Sequence, residues 1–278
     1  MKPVSFDYVR AHSLEEALAA LEEGGDDAKP LAGGQSLVPA LNLRLVRPSL
    51  LVDLNRAGLD GIRVNGALSV GATVRQAELA RHTDLHPLVR EALPHVGHVG
   101  TRNRGTVGGS LAHADGAAEL PLCLVALDGT VTVAGLTGER TVAAHDLFVT
   151  HYTTTLAPGE LLIRSDWPLA RPDERWAFEE VAIRAGDFAL SMVAVVLRLD
   201  GEGRIAGSRV AVGSVTDRPT RLPDVEELLL GAKADEAAAD AAALATHLVD
   251  PPDGLHASAR YLRALTGTLV ERALGRAA

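Results

Sequence analysis

Two glycine-rich segments about seventy residues apart constrain this chain more than any other feature: L-A-G-G-Q-S-L at Leu31–Leu37 and T-R-N-R-G-T-V-G-G-S-L-A-H-A-D at Thr101–Asp115. Glycine lets a backbone approach a ligand closely and take positive φ at little steric cost. A glycine turn just before a helix also aims several N–H groups at one anion. One such loop is a weak signal; two in one chain imply a bulky ligand carrying a diphosphate, held from two sides. Taken alone, Leu31–Leu37 reads as readily as a plain strand–turn–helix connection. It is neither the G-x-G-x-x-G fingerprint nor a P-loop, because no Gly-Lys-Ser/Thr follows. The second segment packs Gly105, Gly108 and Gly109 among Thr106, Ser110, His113 and Asp115. A bare turn requires fewer glycines and fewer hydrogen-bonding side chains.

The 278 residues suggest about two domains. Net charge of −9 argues against a basic field for nucleic acid or membrane surfaces. Aromatic residues are 3%, so the core is built from Ala, Val and Leu and no base-stacking platform is implied. Cys123 is the single cysteine. It excludes an intrachain disulfide, and an iron–sulfur cluster held by this chain alone, which needs four ligands. No basic-then-apolar start and no apolar run of spanning length is present, so the expectation is a soluble, cytoplasmic protein.

Along the chain, Ser13-Leu14-Glu15-Glu16 reads as a capping box, with Leu14, Ala17, Leu18 and Leu21 on one helix face and Gly24-Gly25 as the stop. A strand then runs into the first glycine loop, and Ser36 is placed to cap a helix from Leu37 to about Leu45. Strands follow at Leu50–Leu54 and Leu68–Ala72. Thr73-Val74-Arg75-Gln76 reads as a second capping box, opening a helix to about Arg81. This alternation argues α/β for the first eighty residues. Helices are expected at Pro87–His95 and Ala117–Ala126, the latter interrupted early by Pro121. Strands are expected at Val131–Ala134, Glu139–Val142 and Leu161–Trp167. Pro, Asp, Glu and Arg cluster over Pro168–Arg175, and a domain boundary is placed there. Beyond it come strands at Arg175–Ile183, Ser191–Leu199 and Arg204–Val215. Asp200–Gly203 is their hairpin turn. A cap-like Asp224/Glu227 pair and helices over Ala234–Leu248 and His256–Leu274 complete an antiparallel sheet with helices on one side.

The chain resembles the FAD-binding medium subunit, or flavin domain, of the molybdenum hydroxylases, the family of xanthine and carbon monoxide dehydrogenases. The resemblance rests on A-G-G-Q-S-L (Ala32–Leu37), L-V-D-L (Leu51–Leu54), G-A-T-V-R-Q-A-E-L (Gly71–Leu79) and R-N-R-G-T-V-G-G-S-L-A-H-A-D (Arg102–Asp115). A-P-G-E-L-L (Ala157–Leu162) and R-A-G-D-F-A (Arg184–Ala189) extend it in family order. It implies an α+β chain: a two-part FAD-binding domain of the vanillyl-alcohol-oxidase (PCMH) type over residues 1–172, subdivided at about 56/57, then a C-terminal antiparallel sheet with helices over 173–278. It implies that Ala32, Gly33, Gly34, Gln35, Ser36 and Leu37 wrap the FAD diphosphate. Thr106, Gly108, Gly109 and Ser110 then form a second wall, and Glu119 takes ribityl or ribose hydroxyls. Val96 falls where an apolar residue touches the flavin. Leu161 and Leu162 fall where a backbone group reaches the isoalloxazine edge, and Glu180, with Glu179, where a Lys often sits.

Four positions depart from the family pattern: Ser110 for Asn, Gly116 for Pro, Glu119 for Asp and the Glu179–Glu180 pair for Lys. Loss of that Lys implies a lower flavin potential or a different electron acceptor. The implied function passes electrons from iron–sulfur clusters through FAD to NAD, oxygen, a quinone or another carrier. The molybdenum cofactor would lie on a large partner subunit and the [2Fe–2S] clusters on a small one, in a heterotrimer open to dimerisation. A free-standing flavoenzyme and an FAD-less scaffold are the alternatives. No residue need be an acid, base or nucleophile, and no metal site is expected. His95 and His98 read as loop or surface histidines. His113 reads as bonding the loop backbone, and Cys123 as inert core. Arg102 and Arg104 either reach phosphate or a partner, or hold loop carbonyls.

Overall fold

The structure is a computed structural model that describes residues 2–278. The chain begins with β1 (Asp7–Arg10), α1 (Leu14–Gly24), β2 (Ala28–Leu31), α2 (Leu37–Asn42) and β3 (Leu50–Asp53). The three strands pair in parallel in the order β1-β3-β2. Ser13 caps α1 by accepting from Glu16 N at 3.2 Å. Glu16 returns the bond to His12 N at 2.7 Å, one residue earlier than in the reciprocal box. Ala17, Leu18 and Leu21 then bury against Val52, Leu54, Leu161 and Ile163.

A second unit follows: β4 (Ile62–Val64), β5 (Ala67–Gly71), α3 (Gln76–Leu79), α4 (Pro87–Ala92), α5 (Val99–Arg104), α6 (Val107–His113), α7 (Glu119–Ala126), β6 (Thr130–Gly135), β7 (Gly138–Ala143), α8 (Ala144–Leu147), β8 (Phe148–Thr150), β9 (Thr153–Thr154) and β10 (Leu161–Pro168). Its antiparallel sheet runs β4-β5-β10-β6-β7. β10 joins two cores. Leu161 and Ile163 face the first unit, while Leu162 and the fully buried Trp167 face the main core. Every residue of α7 is buried, so it fills the centre of the molecule.

The chain closes with β11 (Glu174–Ala182), β12 (Ala189–Leu199), β13 (Ile205–Gly213), β14 (Thr220–Arg221), α9 (Pro223–Leu229), α10 (Ala234–Leu248) and α11 (Ala259–Ala277). The antiparallel order is β11-β12-β13-β14. β12 is buried without a break from Ser191 to Leu197 because both its faces are covered. Val193, Val195 and Leu197 pack under α10 and α11. Met192, Ala194 and Val196 join the core around α7. An ionic seam crosses the same junction. Arg209 binds Glu174 at 2.9 Å and Asp128 at 3.6 Å, and Arg221 binds Asp128 at 2.7 Å.

Local expectations at four helices are corrected. Ser36 does not cap α2: its own φ/ψ are already helical (−101°, −43°), which takes its hydroxyl away from the following N–H groups. The helix ends at Asn42 rather than Leu45, as Arg44 turns to φ 60°. Thr73 caps nothing. Thr73 N donates to Leu59 O at 2.9 Å, Arg75 bridges Thr106 of the second glycine segment, Gln76 N donates to Gly105 O at 3.0 Å, and α3 ends at Leu79. Pro121 interrupts nothing, because α7 starts at Glu119 and the proline falls in its first turn. Asp224 lies inside α9 after Pro223, so Leu222 holds the cap position.

The α10–α11 contact depends on small residues. A Cβ on Gly267 would sit 2.2 Å from Thr246 Oγ1 and 2.8 Å from the Ala242 carbonyl oxygen. Gly267→Ala is therefore expected to force these helices apart and cost about 1–3 kcal/mol, read as a lower denaturant midpoint. Gly275→Ala, where a Cβ meets nothing within 4 Å, is the control and should leave the midpoint unchanged or raise it slightly.

Candidate functional site

The two glycine segments meet. A Cβ on Gly33 would stand 2.4 Å from the Arg104 carbonyl oxygen, 2.8 Å from Gly105 Cα and 3.0 Å from Thr106 N. Only glycine permits backbone to lie on backbone this closely. Gly109 faces back, with the Ala32 methyl 3.6 Å from the place its Cβ would take. Gly108 does the same against Ala72, whose carbonyl it binds at 2.9 Å. Ala72 N in turn donates to Ile163 O at 2.9 Å. One contact chain thus connects Ala32–Gly33, Thr106–Gly109 and β10 at Leu161–Ile163.

A polar brace holds the junction. Asn55 Nδ2 donates to Ala32 O at 2.9 Å, and Asn55 N to Asp53 Oδ1 at 2.8 Å. Arg75 links the two sides, donating to Asn55 Oδ1 and to Arg104 O. Tyr8 donates to Asp53, and Arg10 stands 3.6 Å away. Burial works against the Asp53 charge, but the bonds from Tyr8 and Asn55 outweigh it and hold its carboxyl below the ordinary value. Tyr8, Asp53, Asn55 and Arg75 have no role in the sequence reading. The signal was present, since L-V-D-L and G-A-T-V-R-Q carry two of them.

The two segments differ in what they offer. Among the described residues, no backbone N–H from Ala32 to Leu37 donates to a protein acceptor. These groups are half-buried or exposed around a positive-φ Gly34 (φ 72°). In the second segment the groups from Val107 to Ser110 are taken: Val107 N binds Val74 O, Gly108 N binds Ala72 O, Gly109 N binds Thr106 Oγ1, and Ser110 N binds Thr106 O. Thr106, 2% exposed, is the N-cap of α6. Ala32–Leu37 thus offers unpaired N–H groups, and Thr106–Ser110 lies against it as a close-packed wall in which Ser110 keeps a half-exposed side chain.

The remaining sequence-derived residues line up around this junction. Arg102 Nη1 donates to Val96 O and Gly97 O, each at 2.9 Å, which settles its role as holding loop carbonyls. The Val96 side chain is buried. Leu161 and Leu162 bury their side chains, and β5 ladders β10 only from Arg164 onward, so the β5-side edge at these residues has no strand partner. Glu119 is 8% exposed, and its carboxyl is pushed up to about 8, by burial first and by the charge of Glu180 second. Glu180 lies next to His95, 3.6 Å from Nδ1. His113 makes no bond to the loop backbone; its ring stacks on Tyr152 at 4.9 Å. Cys123 is fully buried and its thiol is held protonated by that burial. Among the described residues no group of three or more His, Cys, Asp or Glu could hold a metal ion.

Comparison with known proteins bears on the same residues. The family model for the FAD binding domain in molybdopterin dehydrogenase matches residues 4–169. That for the CO dehydrogenase flavoprotein C-terminal domain matches 176–277. The chain belongs to the FAD-binding medium subunits of the molybdenum hydroxylases. It is 43% identical to the 6-hydroxypseudooxynicotine dehydrogenase complex subunit alpha of Paenarthrobacter nicotinovorans, covering 100% of this chain and 96% of that one. The glyceraldehyde dehydrogenase medium chain of Sulfolobus acidocaldarius is 36% identical, with 98% of each covered. Among solved structures, a chain of quinoline 2-oxidoreductase from Pseudomonas putida 86 matches with TM-score 0.94 at 39% identity, covering 100% and 98%. A chain of a Cu,Mo-CO dehydrogenase matches with TM-score 0.95 at 34% identity, covering 100% and 99%. The family's FAD suits the cradle physically: unpaired N–H groups in a half-buried loop are what a diphosphate requires.

Two outcomes follow for this medium subunit. Gly33→Ala is expected to push the segments apart, lowering the melting temperature and the FAD retained. Gly61→Ala, where a Cβ meets nothing within 4 Å, should do neither. The second outcome concerns pH. Glu119 binds its proton more tightly folded than unfolded, so its contribution to stability is complete below its unfolded value and falls as pH rises toward about 8. Glu119→Gln should therefore gain on the wild type by roughly 1–3 kcal/mol between pH 6 and pH 9 in denaturant titrations.

Proposed function

We propose that this chain is the electron-transferring flavoprotein subunit of a molybdenum-containing dehydrogenase, passing electrons from iron–sulfur clusters of a partner subunit through FAD to an external acceptor. The observation that carries it is the cradle of unpaired N–H groups at Ala32–Leu37, set against the second glycine segment in a chain of this family. Medium chains or subunits of multi-component dehydrogenases among the relatives support the division of labour. So does the single cysteine, which leaves iron–sulfur clusters to another subunit; the molybdenum cofactor then lies on a large partner and the clusters on a small one, in a heterotrimer. The division into an FAD domain ending at 172 and a C-terminal domain from 173 is part of this reading, supported by the two separate family matches.

In this reading, Ala32–Leu37 hold the diphosphate through backbone N–H groups. Thr106, Gly108 and Gly109 bring the second wall close, and Ser110 presents its hydroxyl. Glu119 carries a proton at neutral pH, so it both donates to and accepts from a sugar or ribityl hydroxyl. Val96 supplies an apolar surface, and the β10 edge at Leu161–Leu162 supplies backbone groups. FAD, when bound, supplies the redox chemistry itself; the protein binds, orients and sets the local charge.

The test is the absorption spectrum of the purified chain, with denaturation to identify any released flavin. About one FAD per chain is expected, and a colourless protein that takes up no added FAD sinks the reading. Co-purification of molybdenum and iron with the intact complex separates it from a free-standing flavoenzyme. Glu180→Lys should raise the flavin midpoint potential, because a cation favours the more negative reduced state; potentiometry on both proteins reads this directly.

A further inference from the structure

A His95–Glu180 pair stands beside the start of α7, which packs on the turn that carries His95, and the buried Glu119 there feels the charge of Glu180. His95 ends the single turn after α4, Glu180 is on β11, and Glu119 is the first residue of α7. His95 Nδ1 lies 3.6 Å from Glu180 Oε1. The Glu180 side chain is only 3% exposed, and its Oε2 is buried with no hydrogen-bond partner. His95, with 41% of its side chain exposed, is the member open to solvent; its ring tilts against Phe178 at 5.3 Å. A structural carboxylate would have both oxygens satisfied, because an unpaired buried one is costly. An oxygen left unpaired beside a second buried carboxyl and an imidazole is an arrangement suited to exchanging a proton.

The neighbouring charges are accounted for. On α4, Glu91 is taken by Arg276 of α11, which also binds Glu179 on β11 at 2.8 Å. Asp115, in the turn before α7, accepts from Ala117 N at 3.0 Å and faces Tyr152. His113, before that turn, is kept neutral by burial. Cys123, one turn into α7, is a protonated thiol. None of these pairs with Glu180 Oε2.

We propose that Glu119, His95 and Glu180 form one proton-exchanging cluster beside the FAD cleft, taking up a proton from solvent when an electron pair arrives in the cleft and releasing it when the pair leaves. The inference rests on the FAD reading above. Glu119 and His95 are the groups that titrate, and Glu180 is the positioning residue whose charge sets both. Its hydrogen bond first, and its charge second, raise His95 above the ordinary imidazole value against burial, and its charge contributes to holding Glu119 near 8. Negative charge added nearby raises both further. Glu119 therefore gains its proton in a window that starts at about pH 8 and extends upward. The bookkeeping is simple. The reductant delivers the electron pair, an O–H bond forms on Glu119 or an N–H bond on His95, and the proton comes from water through the exposed imidazole. In effect a mobile proton stands where the family's Lys would provide a fixed charge.

The experiment is the flavin midpoint potential of the FAD-loaded chain from pH 6 to pH 10, beside free FAD in the same buffers. The wild type should fall more steeply with pH than free FAD above about pH 8. Glu119→Gln should lose that extra steepness, and Glu180→Gln should move its onset to lower pH. NMR titration of the His95 ring supplies a readout independent of potential. Its midpoint should rise on reduction with dithionite and drop in Glu180→Gln even without flavin. A wild-type curve parallel to free FAD throughout, with FAD stoichiometrically bound, overturns the proposal. Failure to bind FAD at all overturns the FAD reading and this inference with it. The two failures are told apart by the spectrum taken before any potential.

Discussion

Backbone laid directly on backbone, Gly33 against Arg104–Thr106, is the contact on which the site depends. It brings a loop of the parallel β1-β3-β2 unit against a loop of the antiparallel unit, so the cleft wall is built from both. Any side chain at Gly33 would occupy the space of the Arg104 carbonyl, 2.4 Å away. Because the loop is pinned there, its N–H groups stay out of any helix or ladder and remain available. The brace from Asp53 through Asn55 and Arg75 fixes the same junction with charge-assisted bonds, which are stronger and more directional than neutral ones.

The C-terminal sheet contributes through β12 and β11. β12 is buried on both faces, one under α10 and α11 and the other against α7. That shared core locks the sheet to the first part of the chain and delivers Glu180 on β11 to His95 and Glu119. The molecule therefore presents unpaired N–H groups at Ala32–Leu37 and, around the start of α7, the buried Glu119 and a His95–Glu180 pair. The first suits a fixed anion and the second a charge that comes and goes.

Much of this was legible. The α1 cap, the strand runs of the C-terminal sheet and the Ala234–Leu248 helix follow from local periodicity and capping, which act over a few residues. The family and the meeting of its two glycine loops were legible because glycine spacing is a backbone requirement written directly in residue identity. What failed was local pattern overridden by tertiary demand. Thr73 has the spacing of a cap, but its N–H is drawn to Leu59 O and the chain two residues on, at Arg75, is spent on the bridge to Thr106. Both glycine segments look alike in composition, yet the N–H groups of Val107–Ser110 are bonded within the protein and those of Ala32–Leu37 are not.

The sequence by itself determined the elements, the family and the requirement for glycine at the junction, because each depends on short-range sterics and periodicity. Tertiary structure alone decided that Glu119 is buried rather than solvated, that Arg75 and Asn55 bridge the two loops, and that His95 meets Glu180 across 85 positions of sequence. Burial and charge proximity are properties of space, and no local pattern in the chain encodes which distant carboxylate will stand beside which imidazole.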